Sequence, residues 1–180
     1  MVSKVFLMLL TTITFSFNAP KNMPPNYEQI NIESSEKIFD FLKNEKIGKL
    51  KLSLKNKELE KIIGKPEIKS KFKIWAADGA EHQTWKYKKL GIELDMMKID
   101  KNTSEINMIT IKSPCKLKTT KNIGIGSTKD EVLKSYKKYI DQESYSKNSN
   151  SIIVGSIYGG IIFGIKNNKV NEIFLGASAE

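Results

Sequence analysis

One pattern occurs twice in this chain and sets most of what it can fold into. From Asn122 to Tyr139 the sequence reads Asn-Ile-Gly-Ile-Gly-Ser-Thr-Lys-Asp-Glu-Val-Leu-Lys-Ser-Tyr-Lys-Lys-Tyr. Ile123 and Ile125 alternate up to Gly126, and Thr128 and Glu131 then stand at capping-box spacing. Val132, Leu133, Tyr136 and Ile140 follow at helical intervals. The earlier copy runs from Leu50 to Ile63. There Leu50, Leu52 and Leu54 alternate, so each copy reads as a short strand entering a helix; Asn56 is placed to cap that helix, and Leu59, Ile62 and Ile63 form its inward stripe. Gly64 stops that helix and Pro66 prevents its resumption. Glu131-Val132 aligns with Glu58-Leu59 and Tyr136 with Ile63, while Ser53 stands where the second copy has Gly126. The apolar pattern is kept and the glycine is not, so the stretch is architectural. Gly124-x-Gly126 lacks the third glycine and the Lys-Ser/Thr of a phosphate loop and reads as a backbone turn into a cap.

Each copy is followed by strand material. After the first, Phe72, Ile74 and Ala76 lead to an Asp78-Gly79 reversal, and Trp85 and Tyr87 return on the partner strand. Ile92, Leu94 and Met96, a polar turn around Asp100, Asn102 and Ser104, and a last strand from Ile106 to Ile111 complete the unit. After the second copy, Ile152 to Ile157 and Gly160 to Ile165 are expected to be buried strands meeting at a Gly-Gly turn. Asn167-Asn168 is the next turn, and Val170-Asn171-Glu172-Ile173-Phe174-Leu175 aligns with Ile106-Asn107-Met108-Ile109-Thr110-Ile111. A short helix cannot bury its stripe alone and must lie across the sheet that follows it. The expectation is therefore an α+β fold of two tandem helix-then-antiparallel-meander repeats, residues 47–117 and 118–180, with the helices packed on one face of an antiparallel sheet. The apolar run from Ser151 to Ile165 is too short to span a membrane. Its glycines, Gly155, Gly159, Gly160 and Gly164, leave room on one face for close approach.

Upstream, residues 1–19 read as a signal peptide. Lys4 supplies the positive start, Val5 to Phe17 is a run of 13 apolar or hydroxyl residues, and Ala19 is a suitable small residue for cleavage. Residues 20–46 are a linker with Pro24 and Pro25, followed by an N-terminal segment. In it Ile30 and Ile32 alternate, and Ser34 or Ser35 can cap a helix carrying Ile38, Phe39 and Leu42. This places the protein outside the cytosol, in a periplasm or the extracellular space. Cys115 is the single cysteine, so no internal disulfide forms and a disulfide-linked partner could come only through it.

The net charge of +10 raises nucleic acid as a partner, but all thirty basic residues are lysine. Arginine carries the bidentate fork that reads guanine edges and clamps phosphate. The lysines are scattered among Asn, Ser and Glu, which describes a solvated surface and not a nucleic-acid stripe. A membrane surface, through anionic lipid, or a cell-wall polymer stays as an alternative partner.

Catalysis needs convergent polar groups. His82 is the only histidine, expected to be exposed just past Asp78-Gly79, so clusters of histidine ligands are excluded within one chain. Asp100 to Ile111 begins like a calcium loop but has Glu105 where glycine is required and Ile111 at the final ligand position. Asp130 and Glu131 are first-turn residues favoured by the helix dipole. No catalytic residue, metal or cofactor is assigned, and the chain reads as non-enzymatic, with a small hydrolase using a carboxylate site as the enzymatic alternative. The candidate binding residues are Trp75, Asp78, Trp85 and Tyr87. Trp85 and Tyr87 share one face of a strand and Trp75 lies across the hairpin. They form either an aromatic patch of interface anchors or core packing against the first helix. The hairpin tip, Ala77 to Glu81, is the other candidate contact.

The repeated pattern resembles a superfamily that includes the β-lactamase inhibitor protein and the small lipoprotein of the outer-membrane β-barrel assembly machine. Leu52 to Pro66, Trp85-Lys86-Tyr87, Gly91 to Met96 and Ile106 to Ile111 carry the likeness in the first unit. Ile125 to Tyr136 and Gly160 to Leu175 carry it in the second. The resemblance implies helix-then-meander units that bind other proteins through a sheet face and its loops, without catalysis. An inhibitor, an immunity factor or an envelope-assembly accessory would fit. The chain departs from the lipoprotein in lacking the lipidated cysteine and from the inhibitor in lacking disulfides, and no family binding residue transfers to it.

Overall fold

The computed structural model describes residues 41, 43–140, 145–146, 149–156 and 159–177. The signal peptide, the expected strand at Ile30–Ile32, and Ile38, Phe39 and Leu42 of the expected N-terminal helix lie outside the described residues. The chain is α+β: the described residues from Asn56 onward form one antiparallel sheet of eight strands and two short α-helices. Helix α1 (Asn56–Ile63) precedes β1 (Ile68–Lys69), β2 (Lys73–Ile74), β3 (Glu81–Tyr87), β4 (Ile92–Lys98) and β5 (Ser104–Lys112). Helix α2 (Lys129–Tyr136) precedes β6 (Ser151–Ser156), β7 (Gly159–Lys166) and β8 (Lys169–Gly176). The strand order is β1-β3-β4-β5-β8-β7-β6, with β2 also pairing β3, so two meanders meet at their last strands. That central pairing sets Ile109 opposite Leu175, Thr110 opposite Phe174 and Ile111 opposite Ile173.

Strand alternation divides the side chains between two faces. One face carries Trp85, Tyr87, Ile92, Leu94, Ile109, Ile111, Ile152, Val154, Ile161, Phe163, Ile173 and Leu175, all buried. Leu59 of α1 and Val132 and Tyr136 of α2 belong to the same buried cluster. Tyr136 meets Phe163 at 5.2 Å between ring centroids.

The two meanders share details of backbone geometry. A register shift falls between Asp95 and Met96 in β4, and another between Gly164 and Ile165 in β7. Ahead of α1, Ser53 N–H donates to Ile106 O (2.8 Å) and Ile106 N–H to Leu54 O (3.0 Å). Ahead of α2, Gly126 N–H donates to Val170 O and Val170 N–H to Ser127 O, both at 2.8 Å. Ser53 and Gly126 both have positive φ, 60° and 91°.

These lead-ins are turns and isolated bridges, where the alternation of Leu50–Leu54 and Ile123–Ile125 suggested strands. The left-handed residues at Gly48 and Ser53, and at Asn122 and Gly126, break each extended run after a few residues. Leu50 and Ile123 are buried all the same. A second correction concerns Gly159-Gly160. Both residues lie in β7, with Gly159 opposite Ser156 and Gly160 opposite Gly155, so they are paired strand residues and not the turn. The Asn167-Asn168 turn forms as expected, with φ of 52° and 58° at its two central residues.

The helix caps differ. Thr128 accepts Glu131 N–H at 3.2 Å while the Glu131 carboxylate accepts Thr128 N–H at 2.6 Å, a complete capping box. In α1 the N-cap is Lys55, which has no side-chain cap. Asn56 is already the first helical residue, and its side chain accepts Lys57 N–H. Thr128→Ala is therefore expected to cost about 1 kcal/mol in a urea melt, whereas Lys55→Ala stays within about 0.5 kcal/mol. The Thr128 backbone N–H holds the Glu131 carboxyl below its ordinary value of 4.5, against a weaker opposing effect of burial. Ionised Glu131 thus favours the folded state above that value, and the contribution is lost as pH falls through the lowered folded value. The penalty of Glu131→Gln should accordingly be present at neutral pH and fade in acid melts.

Candidate binding face and hairpin tip

The second face of the sheet is built from the alternate positions of the same strands. One cross-strand row traverses it, with Ile68, Lys86, Glu93, Thr110, Phe174, Ile162 and Ile153 as successive register partners. The β3–β4 half of the row is charged, with Lys86 Nζ 2.9 Å from Glu93. The β8–β7–β6 half is apolar, and Phe174, Ile162 and Ile153 are each half-buried. Beside them Gly155, Gly160 and Gly176 also align as register partners, a strip without side chains next to the apolar row. Toward the other end, Lys112 pairs with Glu172 at 3.0 Å. Lys86, Glu93, Thr110, Lys112 and Glu172 line a shallow groove of about 370 Å³.

The four sequence-predicted binding residues separate into two pairs. Trp85 and Tyr87 are core residues, each 2% exposed, so they form no surface aromatic patch. Strand register puts them among the side chains that share the buried cluster with Leu59, where apolar area is removed from water. Trp85 donates its indole N–H to Gln83 at 2.6 Å, and the Lys69 ammonium lies 3.6 Å from its ring centroid. Tyr87 OH donates to Gly64 O at the end of α1, and burial pushes its phenol pKa up.

Trp75 and Asp78 stand at the Trp75–Glu81 tip. Trp75 lies just past β2, and the tip closes through Trp75 N–H to Ala80 O and Gly79 N–H to Trp75 O. Gly79 takes φ +69°, a conformation that glycine adopts without strain. Both predicted residues meet His82, which is buried at 2% exposure and not exposed as expected. His82 Nδ1 lies 2.6 Å from Asp95 Oδ2, and Nε2 lies 3.0 Å from Asp78 Oδ2. The Trp75 ring stacks on the imidazole, with centroids 4.0 Å apart and planes 9° from parallel. Asp95 Oδ2 also accepts from Asn107 Nδ2 at 3.0 Å, while its Oδ1 is buried without a partner among the described residues. The Ala80 backbone N–H holds the Asp78 carboxyl below its ordinary range, with burial opposing and the His82 bond assisting.

Asp78 and Asp95 are two carboxylates brought together by the fold, with the His82 ring bonded between them. Asp100 is spent on its own turn, accepting Asn102 N–H at 2.8 Å. Cys115 is buried, and burial pushes its thiol pKa up. Among the described residues no group of three His, Cys, Asp or Glu side chains is placed to hold a metal ion.

Sequence reasoning missed Asp95 and Asn107 at the tip, and Phe174, Ile162 and Ile153 on the second face. Two signals pointed to them: an acid inside the apolar alternation of Ile92 to Met96, and the apolar residues at alternate positions of the last three strands. No family model, no curated protein and no solved structure matches this chain.

The two tryptophans should respond oppositely to truncation. Trp85→Ala is expected to cost about 3–5 kcal/mol in a denaturant melt. Trp75→Ala, at a half-buried tip position, should cost less than about 2 kcal/mol. Acrylamide should quench the emission of Trp75 in a Trp85→Phe protein far more than that of Trp85 in a Trp75→Phe protein.

Proposed function

We propose that this chain is an exported, non-enzymatic module of two tandem helix-then-meander units that binds another protein through the second face of its sheet. The two-unit reading is supported by the central register. With Ile109 equivalent to Ile173 and Ile111 to Leu175, the pairs Ile109–Leu175 and Ile111–Ile173 exchange with one another. Thr110 and Phe174 then face each other across a local two-fold axis. The matching register shifts and the matching lead-in hydrogen bonds ahead of α1 and α2 follow the same correspondence. In this reading the helices of both units cover one face and leave the other to a partner, as in the superfamily that the sequence pattern resembles.

The observation that carries the functional reading is the polarity of the cross-strand row. Phe174, Ile162 and Ile153 form an apolar stretch beside a side-chain-free glycine strip, and paired charges, Lys86–Glu93 and Lys112–Glu172, stand at its border. An apolar centre with a polar rim is the anatomy of a protein–protein interface. Paired lysines add little to the attraction of an anionic polymer, because their charge is already compensated locally.

The reading is tested by capture from an envelope extract with wild-type protein and with Ile162→Lys and Phe174→Ser, each first shown to melt cooperatively. A specific protein partner should be retained by the wild type at low and high salt and lost by at least about tenfold in both variants. Failure to capture any protein at either salt, or capture that is indifferent to both substitutions, overturns it. Retention that vanishes at high salt and ignores the substitutions would instead favour anionic lipid or cell-wall polymer.

A further inference from the structure

The His82 ring has an anion at each nitrogen and an indole on its face, and two of those three neighbours come from the hairpin tip. We propose that protonated His82 is a latch that holds the Trp75–Glu81 tip closed, and that loss of its proton releases the tip. The proposal is independent of what the second sheet face binds.

The proton count carries it. A carboxylate accepts hydrogen bonds and donates none, so each contact requires a hydrogen on the ring nitrogen. Nδ1 faces Asp95 at 2.6 Å and Nε2 faces Asp78 at 3.0 Å. Only imidazolium carries hydrogens on both nitrogens. A neutral ring in this position would aim a lone pair at a carboxylate oxygen, and one arm would have to open, its proton passing to solvent.

Burial decides which arm opens. The Asp95 side chain is 11% exposed, on a strand paired on both sides, and is held by Asn107 as well. Its second oxygen already lacks a partner, so the neutral ring's one hydrogen is most needed there. The Asp78 side chain is 42% exposed and can exchange the imidazole for water. The stacked Trp75 ring also favours the charged imidazole, since a cation is drawn to an indole face. Both tip contacts therefore weaken on deprotonation, while the contact to β4 remains.

The strand neighbours of the ring supply one further charge. Lys73 is the register partner of His82 on β2, and Met97, which is neutral, is its partner on β4. One position toward the tip, Glu81 and Lys98 form an ion pair with each other. The ring is thus set against two carboxylates and one lysine, and its own proton decides whether Asp78 is held.

The test is NMR of the full chain across the histidine titration, following the His82 ring nitrogens, the Trp75 indole and the Gly79 and Ala80 amides. In the wild type, ring-nitrogen shifts should report imidazolium below the midpoint, with Trp75 and the tip amides moving at that same midpoint. Protection of the Gly79 amide, corrected for intrinsic exchange, should fall about tenfold above it. Asp78→Asn, at an exposed side chain, should lower the midpoint and shrink the tip response, and His82→Gln should abolish the pH response. The proposal is overturned if His82 titrates while the tip signals stay still, if the ring is neutral throughout the folded range, or if Asp78→Asn leaves the response unchanged. Should His82→Gln fail to fold, the Asp78→Asn comparison still decides.

Discussion

The pairing of β5 with β8 is the contact on which the rest of this fold depends. Each helix has eight residues, well below the length at which an isolated helix persists in water. The second meander alone has three strands, and the first adds only the two-residue strands β1 and β2 to its three longer ones, so each is near the lower limit for independent stability. Joining their last strands produces a single sheet whose central residues, Ile109, Ile111, Ile173 and Leu175, are wholly buried. Leu59 of α1 and Val132 and Tyr136 of α2 then share one cluster with them. Stability is in this sense collective: one buried cluster draws its side chains from both meanders and both helices.

What was legible in the sequence follows from how local each signal is. The Thr128–Glu131 cap, the Gly64 stop, the Asn167-Asn168 turn and the β5 and β8 alternation involve residues a few positions apart, and all of them form. The lead-ins were misread as strands because alternation over three residues cannot register a left-handed residue such as Ser53 that ends the run. The fate of Trp85 and Tyr87 could not be read from their spacing. Period-two alternation tells that they share a face, but only the register with β4 and the position of Gly64 tell which face. The His82 cluster was hidden for the same reason. Asp78 is four residues away, yet Asp95 and Asn107 reach the ring only through the β3–β4 and β4–β5 pairings.

The second sheet face gains meaning from where its polarity changes. Thr110 and Phe174 face each other at the centre of the sheet; toward β3 the row becomes charged, and toward β6 it becomes aliphatic. A row that merely faced water would have no need to concentrate Phe174, Ile162 and Ile153 on three adjacent strands beside aligned glycines. Scattered apolar residues on a surface are ordinary, but contiguous ones mark contact surfaces. The lysine excess does not follow this geography. Of the lysines on the second face, Lys86 and Lys112 are matched by Glu93 and Glu172. The net charge of the chain therefore bears on solubility and encounter more than on what this face recognises.

Two carboxylates, Glu45 buried and Asp95 largely so, show why the tip differs from the rest of the structure. Glu45 is 2% exposed, and both of its oxygens are satisfied. Oε1 accepts from Thr120 N–H (2.8 Å), Thr120 Oγ1 (2.6 Å) and Lys46 N–H (3.1 Å), and Oε2 from Tyr136 OH (3.5 Å). Apart from the tyrosine, these donors are backbone amides and a hydroxyl, fixed in place by the fold. Asp95 has one oxygen without a partner, and the other depends on Asn107 and on an imidazole. A half-satisfied buried anion is costly in a low-dielectric setting, and a titratable cation beside it makes that cost conditional on pH. A chain that needed only a rigid turn could have met Asp95 with fixed donors, as it does for Glu45. Using its single histidine there, with one arm on a water-exposed aspartate, ties closure of the tip to a proton.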